Sequence, residues 1–174
     1  MENESYIGQM QDTLLGQEFL TWLWYAGESQ AHQFKDTEGR DFDLHVTQRV
    51  QVQGGEGDNL ETATVTGALS DLKEARLGLT TGKKVHRALI VVEMDGETWQ
   101  ATLKAEDFSI NSLKTPVVER EDDDDPDAVF LEKMYLIERF LACLDAVYAE
   151  FIELRSSSQW EKELGRFRDW LKET

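Results

Sequence analysis

The residues best able to contact a ligand form a basic segment in an otherwise acidic chain. Between positions 69 and 92 there are five basic side chains and two acidic ones, a local charge of +3 against a net charge of -17 for the whole chain. The five are Lys73, Arg76, Lys83, Lys84 and Arg87, and Lys104, Lys114 and Arg120 could extend them. If these side chains converge, they predict a DNA-contacting strip that neutralises phosphates. The alternative is a solvated strip paired with nearby acids.

Metal binding and nucleophilic chemistry have weaker support. His32, His45 and His86 are far apart and have no second ligand at metal spacing, so we expect no metal site. The single cysteine, Cys143, has no basic neighbour along the sequence and is expected to be a small core residue. A lone cysteine also excludes an intramolecular disulfide, which suits a reducing, cytoplasmic compartment. We predict no catalytic residue and no cofactor.

Carboxylates that could support a metal-dependent nuclease flank one predicted hairpin. They are Glu93, Asp95, Glu97, Glu106 and Asp107. Their spacing is equally typical of an ordinary polar rim, so an enzyme is the last of our three hypotheses. A second acidic group, over residues 119–127, lacks the alternating ligand and glycine pattern of a calcium loop and is predicted to be a solvated linker.

An early helix is predicted over about residues 11–26, and it contains three large aromatic residues within a span of four positions. Trp22, Trp24 and Tyr25 point to more than one side of that helix. Buried aromatic side chains mostly serve packing, which favours a covered core helix. Large exposed aromatics are common in interface cores, so the alternative is that these three residues contact a protein partner.

Alternating apolar residues predict an antiparallel sheet of four or five strands in the middle of the chain. Asp95 and Gly96 are a type I′ turn signal between two of these strands. Ser70 is a suitable N-cap for a short helix laid on the sheet. The clearest strands are expected over about residues 42–52, 61–67, 85–93 and 98–103.

Apolar residues recur at alternating four- and three-residue steps after the acidic segment, which is the heptad pattern of a packing seam. The seam comprises Phe130, Met134, Ile137, Leu141, Leu144, Tyr148 and Phe151. Further apolar residues widen this stripe, which favours a helical hairpin packed on the sheet over self-dimerisation. A break at residues 156–158 precedes a last helix that contains Trp160.

These patterns together predict an α+β fold with a leading aromatic helix, an antiparallel sheet and a C-terminal helical hairpin packed on one face. The sheet-containing core is expected over residues 1–118, the acidic linker over 119–127 and the helical pair over 128–174. We expect neither a secretory signal nor a membrane span, because no apolar run is long enough.

The order of these elements resembles the C-terminal half of the recombination-associated RdgC family. The resemblance covers about residues 15–144 and is carried by the aromatic helix, the turn Gly82-Lys83-Lys84-Val85 and the return strand Trp99-Gln100-Ala101-Thr102-Leu103. It implies DNA binding with little sequence preference, in a ring-shaped dimer that limits recombinase action. It also implies that Lys83 and Lys84 are the main basic contacts. Because this chain is too short for the whole family fold, we expect either that a partner protein or a second copy completes the assembly, or that the chain is a divergent piece with a different use.

Our first hypothesis is therefore a non-enzymatic DNA-associated protein of recombination or its restraint, acting as one subunit of a larger, RdgC-like assembly. Such a protein would bind DNA weakly and without sequence preference, and would be cytoplasmic or associated with the nucleoid. The second hypothesis is an acidic protein–protein interaction module with no DNA binding of its own, because a chain this negative repels nucleic acid at long range.

Overall fold

The computed structural model describes residues 13–29, 33–55, 57–66 and 73–173. These residues form four helices and six strands, with a short 3-10 turn at Gly57–Asn59. The helices are α1 (Thr13–Glu28), α2 (Lys73–Thr80), α3 (Pro126–Arg155) and α4 (Trp160–Lys172). The strands are β1 (Phe34–Lys35), β2 (Asp41–Gly54), β3 (Glu61–Thr66), β4 (Lys84–Met94), β5 (Glu97–Lys104) and β6 (Ile110–Lys114).

The strands form one antiparallel sheet in the order β1-β2-β4-β5-β6, and β3 pairs with the second half of β2. The predicted antiparallel sheet is thus confirmed. Besides the four strands that are clearest in the sequence, the sheet contains β1 and β6. These two strands were harder to predict because they contain only two and five residues and show no alternation. In the central row, Val46 lies opposite Ile90 and Ile90 lies opposite Ala101. All three are buried, so this row marks the covered face of the sheet.

Helix α1 crosses the covered face in direct contact with β2 and β4. A Cβ atom on Gly16 would lie 2.0 Å from the carbonyl oxygen of Ala105, and one on Gly27 would lie 2.5 Å from that of Leu44. Glycine at both ends therefore permits the close approach of helix and sheet. Helix α1 continues to Glu28, two residues beyond the end expected from the sequence at about residue 26.

The C-terminal helices α3 and α4 form a hairpin on the same face, as predicted. Asp125 caps α3 by accepting a hydrogen bond from the backbone N–H of Asp127. The Trp99 indole of β5 donates to the carbonyl oxygen of Leu136 at 2.9 Å, which fixes α3 above the sheet. Helix α4 then returns beside α1, where the ring centroids of Trp170 and Trp24 are 5.7 Å apart.

One buried cluster includes side chains from α1, the sheet, α3 and α4, so the two C-terminal helices pack with the preceding region around a single core. Helix α2 contributes Ala75 and Leu79 to the same cluster, and the proposed cap at Ser70 lies outside the described residues. The acidic segment 119–127 is exposed throughout and leads into α3. Among the described residues, none of the helices combines the length and apolarity that a membrane span requires.

Candidate nucleic-acid interface

The second face of the sheet has no helix on it within the described part of the chain. Helices α1, α2 and α3 contact the buried residues Leu44, Val52 and Trp99, all on the covered face. Strand side chains alternate between faces, so the residues between these buried positions point to the opposite side. We call this side the open face. Its basic side chains are Arg49, Arg87, Lys104 and Lys114.

Strand register brings Arg49, Arg87 and Lys104 together at one end of the open face, whereas Lys114 lies nearer its middle. Arg87 on β4 lies directly opposite Lys104 on β5 and opposite Gln51 on β2. Arg49 is two residues from Gln51 on β2, and Lys114 on β6 lies opposite Gln100 on β5. Because neighbouring strands are about 4.8 Å apart, the backbones of Arg87 and Lys104 are close neighbours.

The charges of this cation cluster are only partly compensated. The Nζ atom of Lys104 lies 3.0 Å from the carboxylate of Glu106. Within the described ranges, Arg49, Arg87 and Lys114 have no carboxylate at ion-pair distance. The Nε atom of Arg87 is buried and has no hydrogen-bond partner among the described residues. Like charges directly opposite each other destabilise a sheet, so a bound anion would relieve this arrangement.

Leu89 and Val91 of β4 lie in the middle of the open face beside neutral hydrogen-bonding side chains, and acids occupy its far end. Gln100 and Thr102 are half-buried there, and Gln51 donates to the hydroxyl of Thr64 at 3.1 Å. Amide and hydroxyl groups of this kind commonly contact the sugar–phosphate backbone. At the far end Asp43 lies directly opposite Glu93, so a polyanion could approach only the basic end.

The five predicted DNA-contacting residues do not form one strip, which corrects the sequence-based expectation. Only Arg87 lies on the open face. Lys83 pairs with Glu61 at 3.1 Å. Arg76 is directed towards the helical layer, where its guanidinium lies 4.0 Å from the ring centre of Trp170. Lys73 is exposed at the first turn of α2. Side chains alternate between the two faces along β4, and the chain turns just before this strand. Lys83 and Arg87 therefore point in different directions although they are close in sequence.

Lys83 and Lys84 instead border a cleft of about 400 Å³ between α1 and the α3–α4 connection. The carboxylate of Glu18 lies 3.3 Å from Lys84 Nζ and 3.0 Å from Arg155 Nε. Glu18 therefore pairs with both Lys84 and Arg155, and Glu61 pairs with Lys83. This arrangement matches the alternative in which the basic segment is paired with nearby acids.

Trp22, Trp24 and Tyr25 are buried inside the chain, with exposures of 3%, 0% and 3%. The Trp22 indole donates to the buried carboxylate of Glu163 at 3.2 Å. The Tyr25 ring packs edge-on against Phe167 at 5.8 Å, and burial raises the pKa of its hydroxyl. The core-helix interpretation is confirmed. In this structure α3 and α4 cover these three residues, so they present no exposed surface to a protein partner.

The groups considered for catalysis are not assembled into a site. Cys143 is buried, and burial raises the pKa of its thiol to about 11. Burial also lowers the pKa of His86, while His32 lies outside the described residues. Among the described residues no cluster of histidine, cysteine and carboxylate side chains could hold a metal ion.

The hairpin carboxylates are likewise separated. Asp95 and Glu97 lie 3.1 Å and 3.8 Å from the guanidinium of Arg139 at one end of β5. Glu106 and Asp107 follow the other end of the same strand. The length of an eight-residue strand therefore divides the two groups, and the arrangement matches a polar rim.

The open face as a unit was not predicted from the sequence. Lys104 and Lys114 were named only as extensions of the basic segment, and Arg49 was not named. The signal was present in the alternation, because Arg49, Arg87 and Lys104 each adjoin a buried residue of the same cross-strand row. No family model, curated protein or solved structure matches this chain. The resemblance to the RdgC family therefore stays a prediction.

Proposed function

We propose that this chain is a non-enzymatic, DNA-associated subunit of a larger assembly that acts in recombination or its restraint. The observation that carries the proposal is the cation cluster of the open face, where Arg87 and Lys104 lie directly opposite each other. Phosphate groups at this end would contact Arg87, which has no acid at ion-pair distance among the described residues, and would compete with Glu106 for Lys104. The recombination context comes from the resemblance of residues 15–144 to the RdgC family.

The expected binding mode is contact with the nucleic-acid backbone. Four cations and neutral amides on a sheet surface can position phosphates but read no base sequence. A net charge of -17 opposes the approach of any polyanion, so the chain alone would bind weakly. A larger assembly would strengthen binding by adding further cations around the same strand of DNA.

A paired charge-removal experiment tests this interface. In the double variant Arg87→Gln/Lys104→Gln we expect weaker retention of a short labelled DNA at low salt. We also expect the slope of log affinity against log salt to fall by about 2, since each duplex phosphate contact contributes about 0.9. Fluorescence anisotropy titrations over a salt series measure both quantities.

The matched control is Lys83→Gln/Lys84→Gln, which removes the same charge from two bases off the open face that are both paired with acids, whereas in the test variant only Lys104 is so paired. We expect it to retain DNA almost as well as the unmodified chain. Equal losses in the two double variants would mean that only total charge matters, and would remove the proposed interface. Unchanged binding in Arg87→Gln/Lys104→Gln would remove it as well.

The second candidate function is an acidic interaction module without DNA binding. It is favoured by the pairing of Lys83 and Lys84 with acids and by the exposed apolar side chains of α3. The same titration separates the two candidates. If the unmodified chain retains no DNA even at low salt, this second function replaces the first.

A further inference from the structure

The first half of α3 exposes large apolar side chains along one side. Phe130, Met134 and Leu141 are 61%, 39% and 39% exposed, and Ile137 is half-buried. Their spacing of four, three and four residues keeps them on one side of the helix. We call these four residues the α3 seam. Contiguous exposed apolar surface of this kind marks an interaction site more often than chance.

The α3 seam is distinct from the side of α3 that packs on the sheet. That buried side contains Leu136, Phe140 and Cys143, and the carbonyl oxygen of Leu136 accepts the Trp99 hydrogen bond. At 3.6 residues per turn, the seam is rotated by roughly a third of a turn from the buried side. It therefore faces sideways, along the edge of the helical layer.

The seam ends at an apolar groove of about 280 Å³ beside β6. Leu141 belongs to both the seam and the groove. The groove continues between α3 and the rings of Phe19 and Phe108, with Ile110 of β6 at its side. The surface thus has a projecting aromatic ring, Phe130, at one end and a recess at the other.

The seam has the same spacing in either chain direction. Reversing the order of Phe130, Met134, Ile137 and Leu141 gives four, three and four again. An antiparallel second copy would therefore place Phe130 of one chain opposite Leu141 of the other, and Met134 opposite Ile137. The two ends are eleven residues apart, about 16 Å along the helix, so each Phe130 would reach the other copy's recess.

Charge selects the antiparallel arrangement over the parallel one. The segment 119–127, which ends in the first turn of α3, contains seven acidic residues and Arg120, a net charge of -6. Parallel helices would bring two such segments side by side, where their repulsion is strong. Antiparallel helices place them at opposite ends and also oppose the two helix dipoles.

We propose that the occupant of the α3 seam is a second copy of this chain, joined through a two-fold, antiparallel contact between the first halves of the α3 helices. Such a contact is self-complementary, because the same patch serves both subunits. The proposal rests on the assembly role proposed above and names the partner in it. Its test uses no DNA, so its failure is distinguishable from failure of the DNA-contacting role.

Analytical ultracentrifugation of the full chain over a concentration series tests the contact. We expect a dimer whose population rises with concentration. We expect Phe130→Asp to raise the dissociation constant of this dimer at least tenfold. The control is Leu77→Asp, because Leu77 is 64% exposed on α2 and lies outside the seam. Circular dichroism of both variants checks that they fold. A monomer at every concentration, or a dimer that Phe130→Asp leaves intact, overturns the proposal.

Engineered cysteines test the orientation. Phe130→Cys and Leu141→Cys chains should form a disulfide with each other when mixed, and much more slowly when each is oxidised alone. Cys143 is buried and should stay reduced, which the unmodified chain controls. Rapid disulfide formation within each variant alone would indicate parallel helices and contradict the antiparallel contact.

Discussion

The two faces of the sheet are built from the same strands but serve different purposes. On the covered face, Val46, Ile90 and Ala101 are fully buried. On the open face, Arg87 and Lys104 are half-buried and polar residues surround them. Burial of one face fixes the strand register, because a shift by one residue would exchange the two faces. The covered face therefore determines which side chains the open face presents.

Adjacent residues of β4 give the largest expected contrast between the faces. Ile90→Ala should lower the free energy of unfolding by about 2 to 5 kcal/mol, because it leaves a cavity beneath α1. Leu89→Ala removes a similar side chain from the open face and should cost about 1 kcal/mol. Urea denaturation measures both values. Equal losses would show that the open face is also covered and would contradict its description as a free surface.

Alanine substitutions at two helix glycines should change stability in opposite directions, and this is the next largest expected difference. In Gly16→Ala the new methyl group would meet the carbonyl oxygen of Ala105, so we expect a loss of about 1 to 3 kcal/mol. In Gly165→Ala, on α4, no atom lies within 4 Å of the new group, and better helix propensity should add about 0.5 to 1 kcal/mol. Thermal unfolding of both variants tests whether one substitution lowers stability and the other raises it. A stabilised Gly16→Ala would mean that α1 lies farther from the sheet than described here.

The smallest expected effect concerns the opposed cations of the open face. Arg87→Gln removes one of two like charges that face each other, so it should raise stability by about 0.2 to 1 kcal/mol at low salt. The gain should shrink as salt screens the repulsion. Urea titrations at two salt concentrations measure it. A marked destabilisation would show that Arg87 is a structural residue and would weaken its assignment to DNA contact.

Local chemistry made much of the fold predictable from the sequence. The turn at Asp95 and Gly96 has positive φ angles of 52° and 78°, and it joins β4 to β5 in the expected two-residue hairpin. The predicted seam of α3 was less accurate, since its first half is exposed and Leu136 and Phe140 are buried instead. Both sets of residues repeat with helical spacing. Contacts with the distant Trp99 decide which set faces the core, and no local pattern encodes those contacts.

The candidate interface was less predictable than the fold. Lys83, Lys84 and Arg87 are neighbours in sequence, which suggested one strip. The acids that neutralise two of them, Glu61 and Glu18, lie 22 and 66 residues away from their partners. Such pairing depends on how the helices and strands meet. The basic end of the open face likewise combines residues from three different strands, so only the register reveals it.

The packing of α4 against α1 has a consequence for biosynthesis. Trp22 bonds to Glu163 across 141 residues of sequence, and Trp24 stacks edge-on with Trp170. The aromatic core therefore cannot close until residue 170 has left the ribosomal exit tunnel. During most of translation the part of α1 that α4 covers in the folded chain is exposed, and transiently exposed apolar surface of this kind favours aggregation.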